Sequence, residues 1–287
     1  MTISMTIPIK NHDYLITQNI LYHKALGIDS FVIYLHNSTD NSVKILNELS
    51  KDIKILVRKV TDPVFKDAVF RTEMAFIARD ELKADWVISN DADEFWYVEG
   101  KKIKDVFKSS KSNIIYSKRY NMIPYVEYPD KYVSPPESFK YAVTSPIKID
   151  KLKPFCEITP VEYMIKTNAG KAAARTEGLK GIGHGSHEIY SHYEGTILDD
   201  RLTILHYPYS TKERFLKEST DKVKSVLSDK SLSNNQDWHI RVIQYMLENG
   251  RLENFTDGLF PDNFLMASLI EKRIVSELTM VYDFFHS

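Results

Sequence analysis

The fold is decided by residues 86–95, which read Trp-Val-Ile-Ser-Asn-Asp-Ala-Asp-Glu-Phe. The apolar first half of this stretch predicts a buried strand, and Asp91, Asp93 and Glu94 follow where that strand ends. Open α/β sheets bind their ligands beyond the carboxyl ends of the strands. Because carboxylate oxygens are the ligands that Mg²⁺ and Mn²⁺ favour, the stretch predicts a divalent-cation site that could neutralise a diphosphate.

Strand-like and helix-like segments alternate through the first half of the chain. The apolar periodicity predicts strands at 2–9, 31–35, 53–57 and 86–89, with helices at 14–26, 41–49 and 66–82. Strands separated by helices pair in parallel through crossover connections. We therefore expect an α/β fold with a Rossmann-like, mostly parallel sheet flanked by helices.

The second half of the chain is less regular. It predicts strands at 113–117 and 202–205, and helices at 103–107, from 210 onward, at 237–248 and at 263–282. A Pro- and Tyr-rich region at 120–160 predicts either loops that build an acceptor pocket or a plain irregular insertion. We expect a catalytic domain at 1–210 and a helical C-terminal extension at 211–287 that packs on it.

Composition limits the classes of function. The 287 residues carry a formal net charge of −1, which argues against nucleic acid as a partner. The single cysteine, Cys156, excludes an intramolecular disulfide and suits a reducing compartment. With neither a signal peptide nor a long apolar run in view, we expect a cytoplasmic protein, and peripheral association with the inner face of the membrane stays open.

Several short motifs occur in the order typical of a known family. They are the segments 10–15 (Lys-Asn-His-Asp-Tyr-Leu), 22–29 (Tyr-His-Lys-Ala-Leu-Gly-Ile-Asp), 38–40 (Ser-Thr-Asp), 84–88 (Ala-Asp-Trp-Val-Ile), 91–95 (Asp-Ala-Asp-Glu-Phe) and 205–207 (Leu-His-Tyr). Together they resemble bacterial GT-A glycosyltransferases of the family 2-like group, related to family 92. The resemblance covers roughly residues 7–220.

The resemblance implies transfer of a sugar from a nucleoside-diphosphate sugar, with Mn²⁺ or Mg²⁺ on the diphosphate and inversion at the anomeric carbon. By position, Asp93 is the main metal ligand, Asp91 contacts the donor ribose or sugar, and Glu94 orders the loop or touches the acceptor. The chemistry agrees, because a departing nucleoside diphosphate develops negative charge that a metal ion stabilises.

The nucleoside side of the pattern is only partly kept. Asn11 matches the family, but His12 stands where relatives carry Glu, and Leu35-His36 replaces an Asp-Asn pair. These positions help to bind the nucleoside in the family. Asp40 also matches, and it fits a helix N-cap equally well.

Further basic and imidazole groups are candidates for the diphosphate. His206 follows a predicted strand where GT-A enzymes supply a metal or diphosphate ligand, although a hydrogen-bonded structural histidine is the alternative. Lys171 and Arg175 match a basic pair of the relatives that could contact phosphate. A solvated basic face is the alternative for both.

His184, His187 and His192 lie close together but do not predict a zinc site. His187 and His192 are five positions apart, whereas the helical zinc motif needs a spacing of four. The glycines of 178–185 also favour a loop. By resemblance, His184 or His187 lines the cleft between donor and acceptor, and a structural role in the loop is the alternative.

An inverting transfer needs a general base, for which a carboxylate is the usual choice. Glu188, beside the histidines, and Asp237 are the candidates, and a surface carboxylate is the alternative for each.

The sequence thus predicts a metal-dependent glycosyltransferase that acts on a glycan or lipid-linked acceptor, in bacterial surface polysaccharide assembly. Two alternatives stay open. One is a metal-dependent nucleotide-sugar hydrolase or nucleotidyltransferase that uses the same acids. The other is a noncatalytic carbohydrate-binding protein on a degenerate GT-A scaffold.

Overall fold

The computed structural model of the protein describes residues 1–100, 102–228 and 238–287. Its strands are β1 (Ile3–Ile9), β2 (Ser30–His36), β3 (Ile55–Val60), β4 (Trp86–Ser89), β5 (Glu94–Val98), β6 (Ile114–Asn121), β7 (Tyr141–Val143), β8 (Lys171–Arg175), β9 (Leu179–Ile182), β10 (Ile189–Ser191), β11 (Thr196–His206) and β12 (Val275–Glu277). Its helices are α1 (Ile16–Ala25), α2 (Ser42–Leu49), α3 (Asp67–Asp80), α4 (Ile103–Ser109), α5 (Pro135–Ser138), α6 (Pro160–Met164), α7 (Lys212–Ser228), α8 (Trp238–Glu248), α9 (Leu252–Asp257), α10 (Asn263–Glu271) and α11 (Met280–His286).

The main sheet is formed by eight of the described strands, in the order β3-β2-β1-β4-β8-β6-β11-β5. β1 pairs in parallel with β2 and β4, and β2 pairs in parallel with β3. β2 is buried along its whole length, as expected for a parallel strand with both faces covered. The parallel α/β half predicted from the sequence is confirmed.

β8 runs against the direction of both its neighbours, β4 and β6. β6 therefore runs the same way as β4. Since β5 and β11 are antiparallel to each other, six of these eight strands share one direction whichever way that pair points. The sheet is thus mostly parallel, and the predicted fold class is confirmed.

The chain divides into two compact units. The first contains residues 1–119 and 169–206, and the second contains residues 120–168 and 207–287. The predicted division after residue 210 stays a prediction about domain organisation. In the contact pattern, the segment 120–168 groups with the C-terminal part.

The second unit has its own apolar core. Met164, Tyr209, Val242 and Leu259 are among its buried side chains. β7 and β12 form a small antiparallel sheet within it. Along the described parts of the chain, no helix has the combination of length and apolar character needed to cross a membrane.

The single helix predicted at 263–282 is wrong. α10 ends at Glu271, Arg273 adopts a left-handed backbone conformation with φ of 55°, and the chain then enters β12 before α11 begins. A left-handed residue terminates a helix because its backbone cannot continue the right-handed turn. Pairing of β12 with β7 then stabilises the extended segment.

Candidate functional site

The acidic residues form a tight turn between β4 and β5. The backbone N–H of Glu94 donates to the carbonyl of Asp91 at 3.1 Å. The side-chain amide of Asn90 donates to the carbonyl of Glu94 at 3.0 Å, and the indole N–H of Trp96 donates to Asn90 Oδ1 at 2.9 Å. Asn90 and Trp96 are fully buried. The turn is therefore fixed by polar contacts that water does not reach.

Helix α1 supports the same turn through two buried residues. Asn19 Nδ2 donates to the carbonyls of Ala92 and Glu94 at 3.0 and 2.9 Å. The backbone N–H of Trp96 donates to His23 Nε2 at 3.0 Å, so the proton of the imidazole is on Nδ1, which lies 2.8 Å from the carbonyl of Asn19. Burial lowers the pKa of His23 to about 3, although the hydrogen bond to Asn19 opposes the shift. His23 is thus a neutral, fixed support of the turn.

A chain of alternating charges runs through the turn. Its members, in order, are Asp67, Arg71, Asp91, Lys171, Glu94 and Arg119. Arg71 lies 2.7 Å from Asp67 and 2.6 Å from Asp91, Lys171 contacts Asp91 and lies 3.1 Å from Glu94, and Arg119 lies 2.7 Å from Glu94. We call this set the charge chain. Its three carboxylates and three cationic groups together carry no formal net charge.

The charge chain keeps Asp91 ionised. Burial opposes the charge on this carboxyl, but Arg71 and Lys171 outweigh it and hold the pKa of Asp91 well below its usual range. Burial also opposes the charge on Arg71, and Asp91 and Asp67 reverse that effect and raise the pKa of its guanidinium. The Lys171 side chain is only 1% exposed, so its ammonium group binds the carboxylates of Asp91 and Glu94 rather than water.

Asp93 and His206 meet beside the charge chain. β11 pairs with β5 so that His206 lies opposite Glu94, and His206 Nε2 is 3.4 Å from Asp93 Oδ2. Both side chains are partly exposed, at 16% for His206 and 20% for Asp93. The structure therefore brings together the two residues predicted as metal ligands, and their role stays a prediction.

The donor atoms of this pair fit a divalent cation. A carboxylate oxygen suits Mg²⁺ and Mn²⁺, while an imidazole nitrogen suits transition metals and favours Mn²⁺ over Mg²⁺. Within residues 1–100, 102–228 and 238–287, no three or more His, Cys, Asp or Glu side chains are grouped so as to hold a metal ion. A cation at the pair would be held by one carboxylate oxygen of Asp93 and one imidazole nitrogen of His206.

The loop that carries His184 and His187 is attached to the charge chain. Ser186 Oγ lies 2.7 Å from Ser89 Oγ, and the backbone N–H of Gly185 donates to Asp67 Oδ2 at 2.6 Å. His184 Nδ1 lies 3.4 Å from the same Asp67 oxygen. Both predicted alternatives for these histidines, cleft lining and loop structure, are compatible with this position.

His187 is fixed from the other side by the strand that carries Lys171. Its Nδ1 lies 2.7 Å from the carbonyl of Gly170, and burial is the main reason that the pKa of His187 is lowered. Gly170 has no room for a side chain, because a Cβ there would lie 2.0 Å from the backbone oxygen of Ser117. A glycine is therefore required immediately before Lys171.

Asn11 and Asp40 join the loops that follow β1 and β2. The backbone N–H of Asn11 donates to Ser38 Oγ at 3.1 Å, and the N–H of Thr39 donates to Asn11 Oδ1 at 2.8 Å. The carboxylate of Asp40 accepts from the backbone of Asp13 and of Ser42, at the start of α2. The N-cap position of α2 is held by Asn41, one position after Asp40, so Asp40 is not the N-cap residue; its carboxylate instead accepts from the first N–H of the helix. The donor-binding roles of Asn11 and Asp40 stay predictions.

The two histidines that depart from the family pattern have local partners. His12 Nδ1 lies 2.8 Å from the carbonyl of Lys10. His36 Nε2 lies 2.8 Å from the carbonyl of Asp62, and the His36 ring packs against Phe65. Both therefore order the loops at the carboxyl ends of β1 and β2.

The remaining candidates lie elsewhere. Arg175 is paired with Trp86, at the far end of β8 from Lys171, and its guanidinium donates to the carbonyl of Ser110 at 3.1 Å. Glu188 is exposed and accepts from the Tyr190 hydroxyl at 2.7 Å. Asp237 lies outside the described residues. The structure thus brings Lys171, but not Arg175, to the acids, and the roles of all four candidates stay predictions.

The sequence interpretation missed five residues of this site: Asn19, His23, Asp67, Arg71 and Arg119. His23 lies inside one of the family motifs, so the motif itself was a signal. Asp67 and Arg71 are four positions apart at the start of a helix whose other face is apolar, and such an ion pair on a buried helix is a recognisable pattern. Arg119 had no local signal.

The acidic turn lies at the carboxyl end of β4, a strand that pairs in parallel with β1. The family model of glycosyltransferase family 92 matches residues 8–243, which is most of the chain. The chain therefore belongs to glycosyltransferase family 92, and it is an enzyme of the glycosyltransferase class. The relationship predicted from the motifs is confirmed.

The solved structures to which the chain is similar are distant. S. aureus TarS 1–349 is 14% identical, with 87% of this chain and 74% of that chain covered and a TM-score of 0.43. Its complex with UDP-GlcNAc is 13% identical, with 86% and 72% covered and a TM-score of 0.43. Glucosyl-3-phosphoglycerate synthase from Mycobacterium tuberculosis, in complex with Mn²⁺, UDP-glucose and phosphoglyceric acid, is 16% identical, with 41% and 44% covered and a TM-score of 0.30. No curated protein sequence matches the chain.

Proposed function

We propose that the enzyme transfers a sugar, with inversion, from a nucleoside-diphosphate sugar to a hydroxyl of a glycan or lipid-linked acceptor. The proposal includes a divalent cation at Asp93 and His206, and a place in bacterial surface polysaccharide assembly. The main support for this proposal is the distance of 3.4 Å between His206 Nε2 and Asp93 Oδ2, next to the charge chain at the carboxyl end of β4. Membership of family 92 supports the class of reaction.

Asp93 and His206 supply one oxygen and one nitrogen donor to the cation. When bound, the cation supplies Lewis-acid stabilisation of the charge that develops on the departing diphosphate. We propose Mn²⁺ rather than Mg²⁺ as the preferred ion, because one donor is an imidazole.

Asp91 has a different role in this proposal. Its carboxylate binds Arg71 and Lys171, so it is already neutralised by two cations. Its side chain is nevertheless 31% exposed. We therefore assign Asp91 to accepting a hydrogen bond from a hydroxyl of the donor ribose or sugar, and we assign Lys171 to fixing Asp91 and Glu94 rather than to direct contact with phosphate.

The acceptor hydroxyl must lose a proton as it attacks the anomeric carbon. Glu188 and Asp237 are the candidates for the general base. The proposal places the enzyme in the cytoplasm, with peripheral association at the inner face of the membrane as the variant predicted from the sequence.

The test compares Asp93→Asn with wild type in a panel of nucleoside-diphosphate sugars, beginning with UDP-GlcNAc and UDP-glucose, with Mn²⁺ and a panel of acceptors. Asp93→Asn removes the anionic donor but preserves the size of the side chain, and we expect kcat to fall by about 10²–10³-fold. His206→Gln should lower the affinity for Mn²⁺, measured by the Mn²⁺ concentration that gives half-maximal rate.

Asp200→Asn is the matched control. Asp200 lies on the same strand as His206, but its side chain is 73% exposed and pairs with Lys118 at the surface. This variant should retain wild-type activity. Full activity of Asp93→Asn, or nucleotide release that never depends on an acceptor, would contradict the proposal.

A further inference from the structure

The hairpin of β9 and β10 is built next to the candidate site. The two strands pair in antiparallel register, and the loop between them carries Ser186, whose Oγ is 2.7 Å from Ser89 Oγ at the end of β4. Tyr190 follows Ser186 by four positions, so the two Cα atoms are at most about 14 Å apart. The surface of this hairpin is therefore only a few residues of chain away from Ser186, which contacts the strand that leads into the acid turn, residues 91–94.

Two tyrosine rings of this region pack on glycines. A Cβ at Gly178 would lie 2.5 Å from the Tyr193 ring, and a Cβ at Gly181 would lie 3.7 Å from the Tyr190 ring. The two residues nevertheless remain exposed, Tyr193 at 49% and Tyr190 at 52%. Gly178 thus provides the space in which the Tyr193 ring approaches the backbone, whereas the Tyr190 ring lies at ordinary contact distance over Gly181, its partner across the hairpin. About half of each tyrosine faces solvent.

Polar groups accompany the rings. The Tyr190 hydroxyl donates to Glu188 at 2.7 Å, which places a carboxylate at the rim of one ring. Glu194, which follows Tyr193, and Glu177, which precedes the Gly178 that the Tyr193 ring packs on, are also exposed. Flat aromatic faces with hydrogen-bond acceptors at their edges suit a ligand that has apolar C–H faces and many hydroxyl donors.

A sugar ring has both features. An anionic membrane surface is a poor alternative, because exposed carboxylates repel acidic headgroups and membrane-binding segments are instead rich in Lys and Arg. A sugar-binding surface that continues from the acid turn also matches the need of the proposed transfer for a bound acceptor.

We propose that Tyr190 and Tyr193, with Glu188 at the rim of the Tyr190 ring, form a subsite that binds sugar rings of the acceptor glycan. This inference rests on the proposed function for the identity of its ligand. Tyr190 and Tyr193 contact sugar units by ring stacking, and the carboxylate of Glu188 accepts from sugar hydroxyls. A glycan that occupies this hairpin extends toward the acid turn.

The experiment measures binding of wild type and of the double variant Tyr190→Ala/Tyr193→Ala to an array of immobilised oligosaccharides of defined structure. Affinity for the bound glycans is then measured in solution by calorimetry. Loss of both rings should weaken binding by roughly fivefold to 150-fold, since each aromatic contact of about 0.5–1.5 kcal/mol corresponds to roughly twofold to twelvefold in affinity.

Two further variants separate stacking from folding. Tyr190→Phe/Tyr193→Phe preserves both rings and should bind glycan within a fewfold of wild type. Phe264→Ala removes an exposed aromatic ring from α10 of the second unit, outside the region 120–160, and should leave glycan binding unchanged. Thermal unfolding of each variant shows whether the hairpin remains folded.

The subsite is overturned if the double alanine variant binds the glycans as tightly as wild type, or if wild type binds none of the array. It is also overturned if the rings are instead required for sedimentation with vesicles of phosphatidylcholine and phosphatidylglycerol, or for self-association. Binding of UDP with Mn²⁺, followed by thermal shift, is measured in parallel. If glycan binding needs the rings but the protein binds no nucleotide, the proposed function is contradicted and the subsite is not. If sugar transfer proceeds equally well without the rings, the subsite is contradicted and the proposed function is not.

Discussion

His23 should make the stability of the protein depend on pH in a way that one substitution removes. Its imidazole is fully buried, accepts a hydrogen bond at Nε2 from the backbone of Trp96 and has its proton on Nδ1. Protonation at Nε2 would break that bond and leave a charge in the core. The perturbation is His23→Gln, because a glutamine side chain carries both a donor and an acceptor but does not titrate.

The magnitude follows from the difference between the folded and unfolded pKa. The pKa of His23 is about 3 in the folded protein, against 6.5 for an ordinary histidine. Between these two values the unfolded chain binds more protons, so stability is complete above pH 6.5 and is lost as the pH falls toward 3. From about pH 7.5 to about pH 5 this single group should remove about 2 kcal/mol, and the loss should approach about 5 kcal/mol below the folded pKa.

The assay is urea unfolding of wild type and of His23→Gln at both pH values, followed by tryptophan fluorescence. Other titrating groups contribute equally to both proteins, so the quantity of interest is the difference between the two pH dependences. We expect the variant to lose about 2 kcal/mol less than wild type on acidification. Equal losses in the two proteins would refute the assignment of His23 as a neutral, buried support of the acid turn.

Two pairs of variants test the surroundings of the site by thermal and urea unfolding. Arg71→Met should destabilise the protein by about 3–5 kcal/mol because it removes a buried guanidinium that pairs with both Asp67 and Asp91 and leaves Asp91 with Lys171 alone, whereas Arg58→Met, at an ion pair that is about half exposed, should cost less than about 1 kcal/mol. Equal effects would show that the charge chain is not a buried unit. Gly170→Ala should cost on the order of 3 kcal/mol because its Cβ would meet backbone at 2.0 Å, and Gly181→Ala, with 3.3 Å to the nearest atom, should cost about 1 kcal/mol or less. A neutral Gly170→Ala would contradict the close approach described for this strand.

The regular part of the fold was accessible from the sequence because its signals are local. β1, β2 and β4 are apolar runs, and α3 has a clear apolar stripe, so their existence follows from periodicity. The position of Asp91 and Asp93 beyond the carboxyl end of β4 then follows from the topology of the parallel sheet. The metal-ligand roles predicted for Asp93 and His206 come from the family resemblance instead, and the two side chains lie 3.4 Å apart.

The remainder of the site depends on pairings between distant segments. β8 reads Lys-Ala-Ala-Ala-Arg, and alanine has little preference for strands, so no local pattern predicts it. It is a strand because its small side chains fit in the core between β4 and β6. The contact of Lys171 with Asp91 and Glu94 is a consequence of that pairing, which is why Lys171 and Arg175 looked equivalent in the sequence and are not in the structure.

The charge chain has a consequence for how this molecule can change over evolutionary time. Arg119 is the last residue before the chain leaves the first unit, Lys171 follows just after its return at Ala169, and both bind Glu94. The residues that flank the intervening segment, 120–168, thus form ion pairs with the same carboxylate. Insertions, deletions or exchanges confined to that segment leave both partners of Glu94 in the chain. The segment 120–168 can therefore change in sequence and length while the ion pairs that hold Glu94 are kept.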